Sequence, residues 1–179
     1  MPYLGDLHST YETIPYGNAG IRISVSRLLN FIRQGRKNQQ IVLFAKQLVQ
    51  DCPNKDYICE AKTIFSWVQQ NIRFTRDVRD VELLQTPDVT LRLRNGDCDD
   101  HVILLCTLLE AVGHRTRVVL VASMRDAPGQ YNHIFAEVLL PVGKEYRWVP
   151  MDTTPVSNDG RLAPFGWLPP GNKYERYEV

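Results

Sequence analysis

The chain has 179 residues, of which 44% are hydrophobic and 23% charged, so one folded domain is expected and a disordered or fibrous polymer is excluded. Lys and Arg number 21 against 20 Asp and Glu, and a formal charge of +1 gives no overall field that would hold nucleic acid or an anionic membrane. No apolar run reaches the roughly 18 residues that cross a bilayer, and residues 1–10 lack the order of a signal peptide, which predicts a cytoplasmic protein.

Helical spacing dominates the first half of the chain. The first twenty residues show no periodicity and hold several turn formers, so we expect an extended N-terminal arm over residues 1–20. Two helical stretches follow, separated around Gly35. After a turn at residues 51–54, one apolar stripe predicts a third helix, through Ile58, Ala61, Phe65, Val68 and Ile72. Residues 74–88 look irregular, because Pro87 disfavours a continuing helix.

One further helix and three strands are predicted in the second half. The helix starts after Gly96 and Asp97 and ends at Gly113, and its apolar positions follow the i, i+3, i+4, i+7 rule. A turn at residues 141–144 joins the last two of three predicted strands, which are residues 118–122, 133–140 and 146–152.

This order of elements sets the domain organisation. Helices come first, and one helix then leads into antiparallel strands, which predicts an α+β fold in a single domain over residues 21–155. Residues 156–179 are expected to form a Pro- and Gly-rich C-terminal tail that packs irregularly on the same domain.

Cys98 lies in the first turn of the predicted central helix. Backbone N–H groups are unpaired there and the helix dipole is positive, so the thiol can become a nucleophilic thiolate and the N–H groups can hold a developing oxyanion. The adjacent acids Asp97, Asp99 and Asp100 act against a thiolate. Activation is therefore expected to come mainly from a nearby base.

The predicted hairpin supplies that base. A turn centred between Val142 and Gly143 would place His133 directly opposite Asp152 on one face of the sheet, where an imidazole and a carboxylate can hydrogen-bond. Trp148 would lie on the same face, beside the proposed groove. The pairing depends on parity, because a slip of one residue would move Asp152 to the other face. Together, Cys98, His133 and Asp152 form a set of nucleophile, base and orienting carboxylate.

These residues resemble the transglutaminase-like superfamily. The resemblance covers roughly residues 58–155 and rests on three motifs in order, which are Gly96-Asp97-Cys98-Asp99-Asp100, Tyr131-Asn132-His133 and the run Val-Pro-Met-Asp-Thr-Thr-Pro at residues 149–155. It implies a papain-like fold in which the helix bearing Cys98 packs on an antiparallel sheet bearing His133 and Asp152. An oxyanion-supporting side chain upstream of the nucleophile is expected, and Gln85 is the candidate.

The resemblance also implies a range of functions. The family includes protein crosslinkers, peptidases, amidases and inactive members, and this chain looks like its short members from phage and prophage genomes. We expect a cysteine hydrolase of peptide or isopeptide bonds, acting on a protein or peptide. The alternatives are a crosslinking transglutaminase and a catalytically silent scaffold that contacts phage structural proteins, in the virion where the gene is phage-borne. No cofactor or metal is expected.

The remaining cysteines and a histidine offer other interpretations. In a cytoplasmic protein the four cysteines are expected to be free, and a helix that begins early would hold Cys52 and Cys59 too far apart for an unstrained disulfide. Cys106 lies on the apolar stripe and is assigned to the core, as is Cys59. A metal-binding module built on Cys98 and His101 is a third functional reading. Otherwise His101 should reach the surface or the groove.

Overall fold

The computed structural model describes residues 18–76, 83–122, 131–156 and 160–179. None of the helices within these ranges combines the length and the apolar content that a membrane crossing requires. The helices are α1 (Asn18–Gly35), α2 (Gln39–Leu48), α3 (Tyr57–Asn71), α4 (Pro87–Leu93) and α5 (Cys98–Ala111). The strands are β1 (Arg73–Phe74), β2 (Asn95–Gly96), β3 (Thr116–Ala122), β4 (His133–Val142), β5 (Glu145–Met151) and β6 (Lys173–Glu178).

Helix α5 lies at the centre of the fold. Helices α1, α2, α3 and α4 surround it, and strands β3 and β4 cover its remaining side. All of its residues from position 100 to 109 are buried, because the run Val-Ile-Leu-Leu-Cys-Thr-Leu-Leu is apolar all round rather than on one stripe. The predicted α+β fold, with the Cys98 helix packed on an antiparallel sheet, is confirmed.

Four strands form that sheet in the order β5-β4-β3-β6, and each neighbouring pair is antiparallel. Alternate residues of β4 point toward α5 and join the main core, as the alternating pattern predicted, and these are Ile134, Ala136, Val138 and Leu140. The opposite face holds a smaller buried cluster of Val119, Val121 and Phe135, with Tyr174 packed against it.

Four elements were not predicted, which are α4, β6 and the short parallel strands β1 and β2. Pro87 begins α4 instead of preventing a helix, because the first helical position needs no N–H donor and the proline ring fixes a helical φ. Strand β6 lies within the predicted irregular tail and pairs along the free edge of β3. The predicted arm, residues 1–20, lies outside the described residues except for its last three, which open α1.

The β4–β5 hairpin has a different register from the predicted one. Val142 pairs with Glu145, so the turn is centred between Gly143 and Lys144, and Gly143 has a φ of 66°. Asp152 is therefore displaced by two residues along the ladder from a position opposite His133. A displacement of two preserves parity, so both residues keep the same face.

The expectation of four free thiols is wrong. Cys52 and Cys59 form a disulfide with their Cα atoms 5.8 Å apart. Because α3 begins only at Tyr57, with Asp56 as its N-cap, Cys59 lies in the first helical turn and the backbone before it folds back toward Cys52. Disulfides are typical of oxidising compartments, so this one weighs against the expected cytoplasmic location.

Candidate active site

A capping box fixes the backbone that carries Cys98. Asp97 is the N-cap of α5, and its Oδ1 accepts hydrogen bonds from the backbone N–H of Asp99 at 3.0 Å and of Asp100 at 3.3 Å. In return, Asp100 Oδ2 accepts a hydrogen bond from the backbone N–H of Asp97 at 3.3 Å. Two of the N–H groups that the sequence assigned to an oxyanion are thus bonded to a carboxylate, so an oxyanion needs other donors.

The surroundings of Cys98 disfavour its thiolate. Burial raises the pKa of the Cys98 thiol well above its ordinary value of 9.0, and the carboxylates of Asp99, Asp97 and Asp152 raise it further. A hydrogen bond from the backbone N–H of Asp99 lowers this pKa, but it is the weakest of the causes. Asp97 and Asp99 thus act on the thiol as expected, whereas Asp100 is not among the causes and Asp152 is an additional one. A neutral thiol is the resting form, and the thiolate requires a base that removes its proton.

Asp100 also fixes the segment that carries Gln85. Its Oδ1 accepts a hydrogen bond from the backbone N–H of Gln85 at 2.7 Å, and Asp100 itself is only 1% exposed. Gly96 permits this close packing, since a Cβ at that position would lie 2.5 Å from the Cβ of Asp100. Gln85 Oε1 accepts a hydrogen bond from Thr90 Oγ1 at 3.4 Å. The amide nitrogen is the end that could serve an oxyanion, and that role stays a prediction.

His133 and Asp152 form the hydrogen bond that the sequence predicted. His133 opens β4, Asp152 directly follows β5, and His133 Nε2 lies 2.7 Å from Asp152 Oδ2. The other carboxylate oxygen, Oδ1, accepts hydrogen bonds from the backbone N–H of Thr154 at 3.0 Å and from its Oγ1 at 2.8 Å. Both oxygens of this buried carboxylate are therefore engaged. The imidazole is held through Nε2, and its Nδ1 is left to exchange a proton.

Two observations show that the start of the Cys98 helix lies next to Asp152 and Thr153. Asp152 lies close enough to Cys98 to raise the pKa of the thiol. In addition, His101, one helical turn after Cys98, has its Nδ1 3.0 Å from the Oγ1 of Thr153. The first turn of α5 is thus fastened to the segment that directly follows the Asp152 backbone.

The model of the transglutaminase-like superfamily matches residues 44–153, which is more than half of the chain and includes Cys98, His133 and Asp152. The chain belongs to the transglutaminase-like superfamily. A comparison with curated proteins found no match.

Two solved structures share the fold of this transglutaminase-like chain, and a third is similar to it. A presumed protease from Parabacteroides distasonis is 13% identical, with a TM-score of 0.53, over 82% of this chain and 36% of its own. A presumed cysteine protease from Cytophaga hutchinsonii is 15% identical, with a TM-score of 0.53, over 86% of this chain and 56% of its own. LapG from Legionella pneumophila is 16% identical, with a TM-score of 0.49, over 70% of this chain and 72% of its own. The chain thus spans about a third to somewhat over half of the first two proteins.

The transglutaminase-like domain buries His101 almost completely, which corrects the expectation that it reaches the surface, although its ring forms part of the wall of a cleft beside the site. His101 is 1% exposed and its ring stands edge-on to Phe74, with centroids 6.2 Å apart. Burial lowers the pKa of His101 to about 4, and the nearby Asp152 carboxylate acts in the opposite direction. His101 is therefore neutral near pH 7.

The metal interpretation required His101 beside Cys98. Within the described ranges, the group that could hold a cation consists of Asp97, Cys98 and Asp99, whose ligand atoms lie within 4.8 Å of one another. His101 is outside this group because its Nδ1 contacts Thr153. Capping of a helix by acids produces the same proximity, so the cluster does not by itself assign a metal.

Trp148 is not brought to the nucleophile. It pairs with Leu139, six residues along β4 from His133, which at roughly 3.3 Å per residue is about 20 Å away. Its indole instead lies under the guanidinium of Arg117, 4.3 Å from the ring centroid. The two-residue shift of the hairpin register keeps Trp148 on the predicted face but leaves it far from the candidate site.

Sequence reasoning missed two residues that hold Asp152. Thr154 binds the carboxylate, and Gln69 on α3 donates through Nε2 to the backbone oxygens of Asp152 at 3.3 Å and of Ala163 at 2.9 Å. The run Asp-Thr-Thr carried a usable signal, since an aspartate commonly accepts from the backbone N–H two residues later. No local pattern could have identified Gln69, because its partners are more than eighty residues away.

Proposed function

We propose that the chain is a cysteine acyl-transfer enzyme that hydrolyses peptide or isopeptide amide bonds. Cys98 is the nucleophile, His133 the general base and acid, and Asp152 the carboxylate that orients the imidazole. The observation that carries this proposal is the 2.7 Å hydrogen bond between His133 Nε2 and Asp152 Oδ2, next to a helix that begins with a cysteine.

The reaction proceeds through a thioester. His133 Nδ1 takes the thiol proton of Cys98 while the sulfur attacks the carbonyl carbon of the substrate. The C–N bond then breaks, His133 returns the proton to the departing amine, and the acyl group remains on Cys98. Water, deprotonated by His133, attacks the thioester, which releases a carboxylic acid and restores the thiol.

The raised pKa of the Cys98 thiol determines when the proton moves. Burial and three carboxylates disfavour a stored thiolate, so the proton leaves as the substrate carbonyl is attacked rather than beforehand. Asp152 supports this step, because its buried carboxylate stabilises the imidazolium that forms on His133. Gln85 is proposed as the side-chain donor to the oxyanion, since two helix-end N–H groups are taken by Asp97.

Hydrolysis is preferred to crosslinking because water is always present as the second acceptor. Crosslinking requires a channel that delivers a lysine amine to the thioester. The expected substrate is a protein or peptide, and a crosslinking transglutaminase is the alternative product outcome of the same first step.

A catalytically silent scaffold is the second candidate, in which the chain acts as a phage particle or assembly component. The observation that favours it is the same raised pKa of Cys98, since a thiol kept neutral by burial and by three carboxylates reacts slowly. This reading retains the His133–Asp152 hydrogen bond as a structural contact only.

The test separates the two candidates on the protein itself. A proteome-derived peptide library is incubated with the native protein and with Cys98→Ala and His133→Ala variants, and mass spectrometry identifies new termini and new isopeptide links. Hydrolysis predicts new termini that both variants lose. Isopeptide links instead of new termini would establish crosslinking.

A matched control variant distinguishes loss of catalysis from loss of folding. Cys106→Ala removes the other free thiol, which lies in the core and away from the site, and should retain activity in proportion to its folded fraction. Products that survive in Cys98→Ala protein would overturn the enzyme proposal. An absence of products, together with iodoacetamide labelling of Cys98 that His133→Ala leaves unchanged, would support the scaffold.

A further inference from the structure

A cleft with both polar and apolar walls lies beside the candidate active site. Its volume is about 310 Å³, and its walls come from the end of α3, strand β1, the first turn of α5 and the segment after β5. A cleft of this size is at the lower end of the range that small-molecule sites occupy. Polar groups of Arg73, Arg94, His101 and Thr153 line part of the cleft.

Two arginines give the cleft its charge. Among the described residues that line it there is no Asp or Glu, while Arg73 and Arg94 both contribute. The short parallel pair of β1 and β2 holds them together, since the backbone N–H of Arg73 donates to the carbonyl oxygen of Arg94 at 2.9 Å. The Arg94 guanidinium is further fixed over the ring of Trp67, 4.8 Å from its centroid. The pairing of β1 and β2 thus places two positively charged residues side by side at the cleft.

A buried nitrogen in the wall is a second, independent observation. His101 lines the cleft, its Nδ1 contacts Thr153, and its Nε2 has no hydrogen-bond partner among the described residues. Buried polar atoms nearly always have a partner, and an exception commonly marks a missing water or ligand. When Thr153 donates to Nδ1, the ring proton is on Nε2, which then acts as a donor.

We propose that this cleft binds an oxyanion, namely the phosphate or carboxylate group of a small molecule, between Arg73 and Arg94. Guanidinium groups suit this role because their planar N–H donors match two oxygens of one anion. The site does not depend on the chemistry of Cys98. Thr153 connects the two, because it follows Asp152 in the chain and contacts His101 in the cleft wall.

Calorimetric titration of the full chain tests the proposal with two probes, inorganic phosphate and citrate, at constant ionic strength maintained with sodium chloride. Saturable binding of one or both probes is expected, and the comparison shows whether phosphate or carboxylate is preferred. Arg73→Gln and Arg94→Gln should each weaken binding by about tenfold or more, the loss expected for one charge-assisted hydrogen-bond partner.

Arg92→Gln is the matched control, because Arg92 is exposed on α4 and does not line the cleft. Arg94→Lys is a further variant that keeps the charge, and partial retention of binding is expected. Heat release that does not saturate for either probe would overturn the proposal, as would equal affinity in the native, Arg73→Gln and Arg92→Gln proteins. Circular dichroism and thermal unfolding confirm that each variant is folded.

Discussion

Thr154→Val is the sharpest test of how the carboxylate is held. Thr154 is 4% exposed, and its hydroxyl donates to Asp152 Oδ1 at 2.8 Å while its backbone N–H donates to the same oxygen at 3.0 Å. Valine has nearly the same shape but removes the hydroxyl, so one of the two bonds to Oδ1 is lost and only the backbone bond remains.

The expected loss follows from the charge and burial of the acceptor. A hydrogen bond to a charged group contributes about 1.5–3 kcal/mol, and here no water can replace it readily. For a chain of this size, each kcal/mol shifts the melting temperature by roughly 2–4 °C, so Thr154→Val should lower it by about 3–12 °C. The less firmly held Asp152 should also slow iodoacetamide labelling of Cys98, because His133 accepts the proton less well.

Thr154→Ser is the control, since serine keeps the hydroxyl and loses only a methyl group, at a cost of about 1 kcal/mol. Urea unfolding measures the free energy of unfolding for all three proteins, and peptide mapping measures the labelling rate. A valine variant as stable as the native protein, or a serine variant as slow in labelling as the valine variant, would refute the role assigned to this hydroxyl.

Three further predictions concern thiols and pH. In native protein, iodoacetamide should label Cys98 but not Cys106, since Cys98 is only partly buried whereas Cys106 is fully buried; similar labelling of the two would contradict the structure. Reduction of the Cys52–Cys59 disulfide should lower the free energy of unfolding by about 2–3 kcal/mol, because the unfolded chain regains the conformational entropy that closure of this short loop removes. A Cys52→Ser variant should show no effect of reductant. Because the pKa of His101 is lowered in the folded protein, the unfolded chain binds a proton first as pH falls. The free energy of unfolding should therefore decrease by roughly 3 kcal/mol between about pH 6.5 and about pH 4. A His101→Gln variant should show a shallower pH dependence in urea unfolding.

The sequence predicted the parts of the site that depend on periodicity. Helical spacing and the capping signal located Cys98 at the start of α5, and strand alternation set His133 and Asp152 on one face. The two residues still share a face, although the predicted turn was wrong, because the register of the hairpin is shifted by an even number of residues. The same error misplaced Trp148, since a shift of two residues preserves parity but changes the distance along the strand.

Long-range contacts account for most of what the sequence did not reveal. Strand β6 is polar and short, and it exists because the edge of β3 offers unpaired backbone groups. The burial of His101 depends on Thr153 and Phe74, which lie far from it in the chain. The Cys52–Cys59 disulfide depended on where α3 begins, and helix ends are the least certain feature of a sequence pattern.

The burial of Cys98 and the carboxylates around it have a consequence for oxidative damage. Peroxides and other oxidants attack thiolates much faster than neutral thiols, so a cysteine whose proton is retained until a substrate arrives is a poor target for them. The same chain can then keep its disulfide closed in surroundings that favour oxidation while Cys98 stays reduced. The burial and the carboxylates that keep the Cys98 thiol neutral therefore have two results. The thiol reacts slowly with small electrophiles, and it resists oxidation in air.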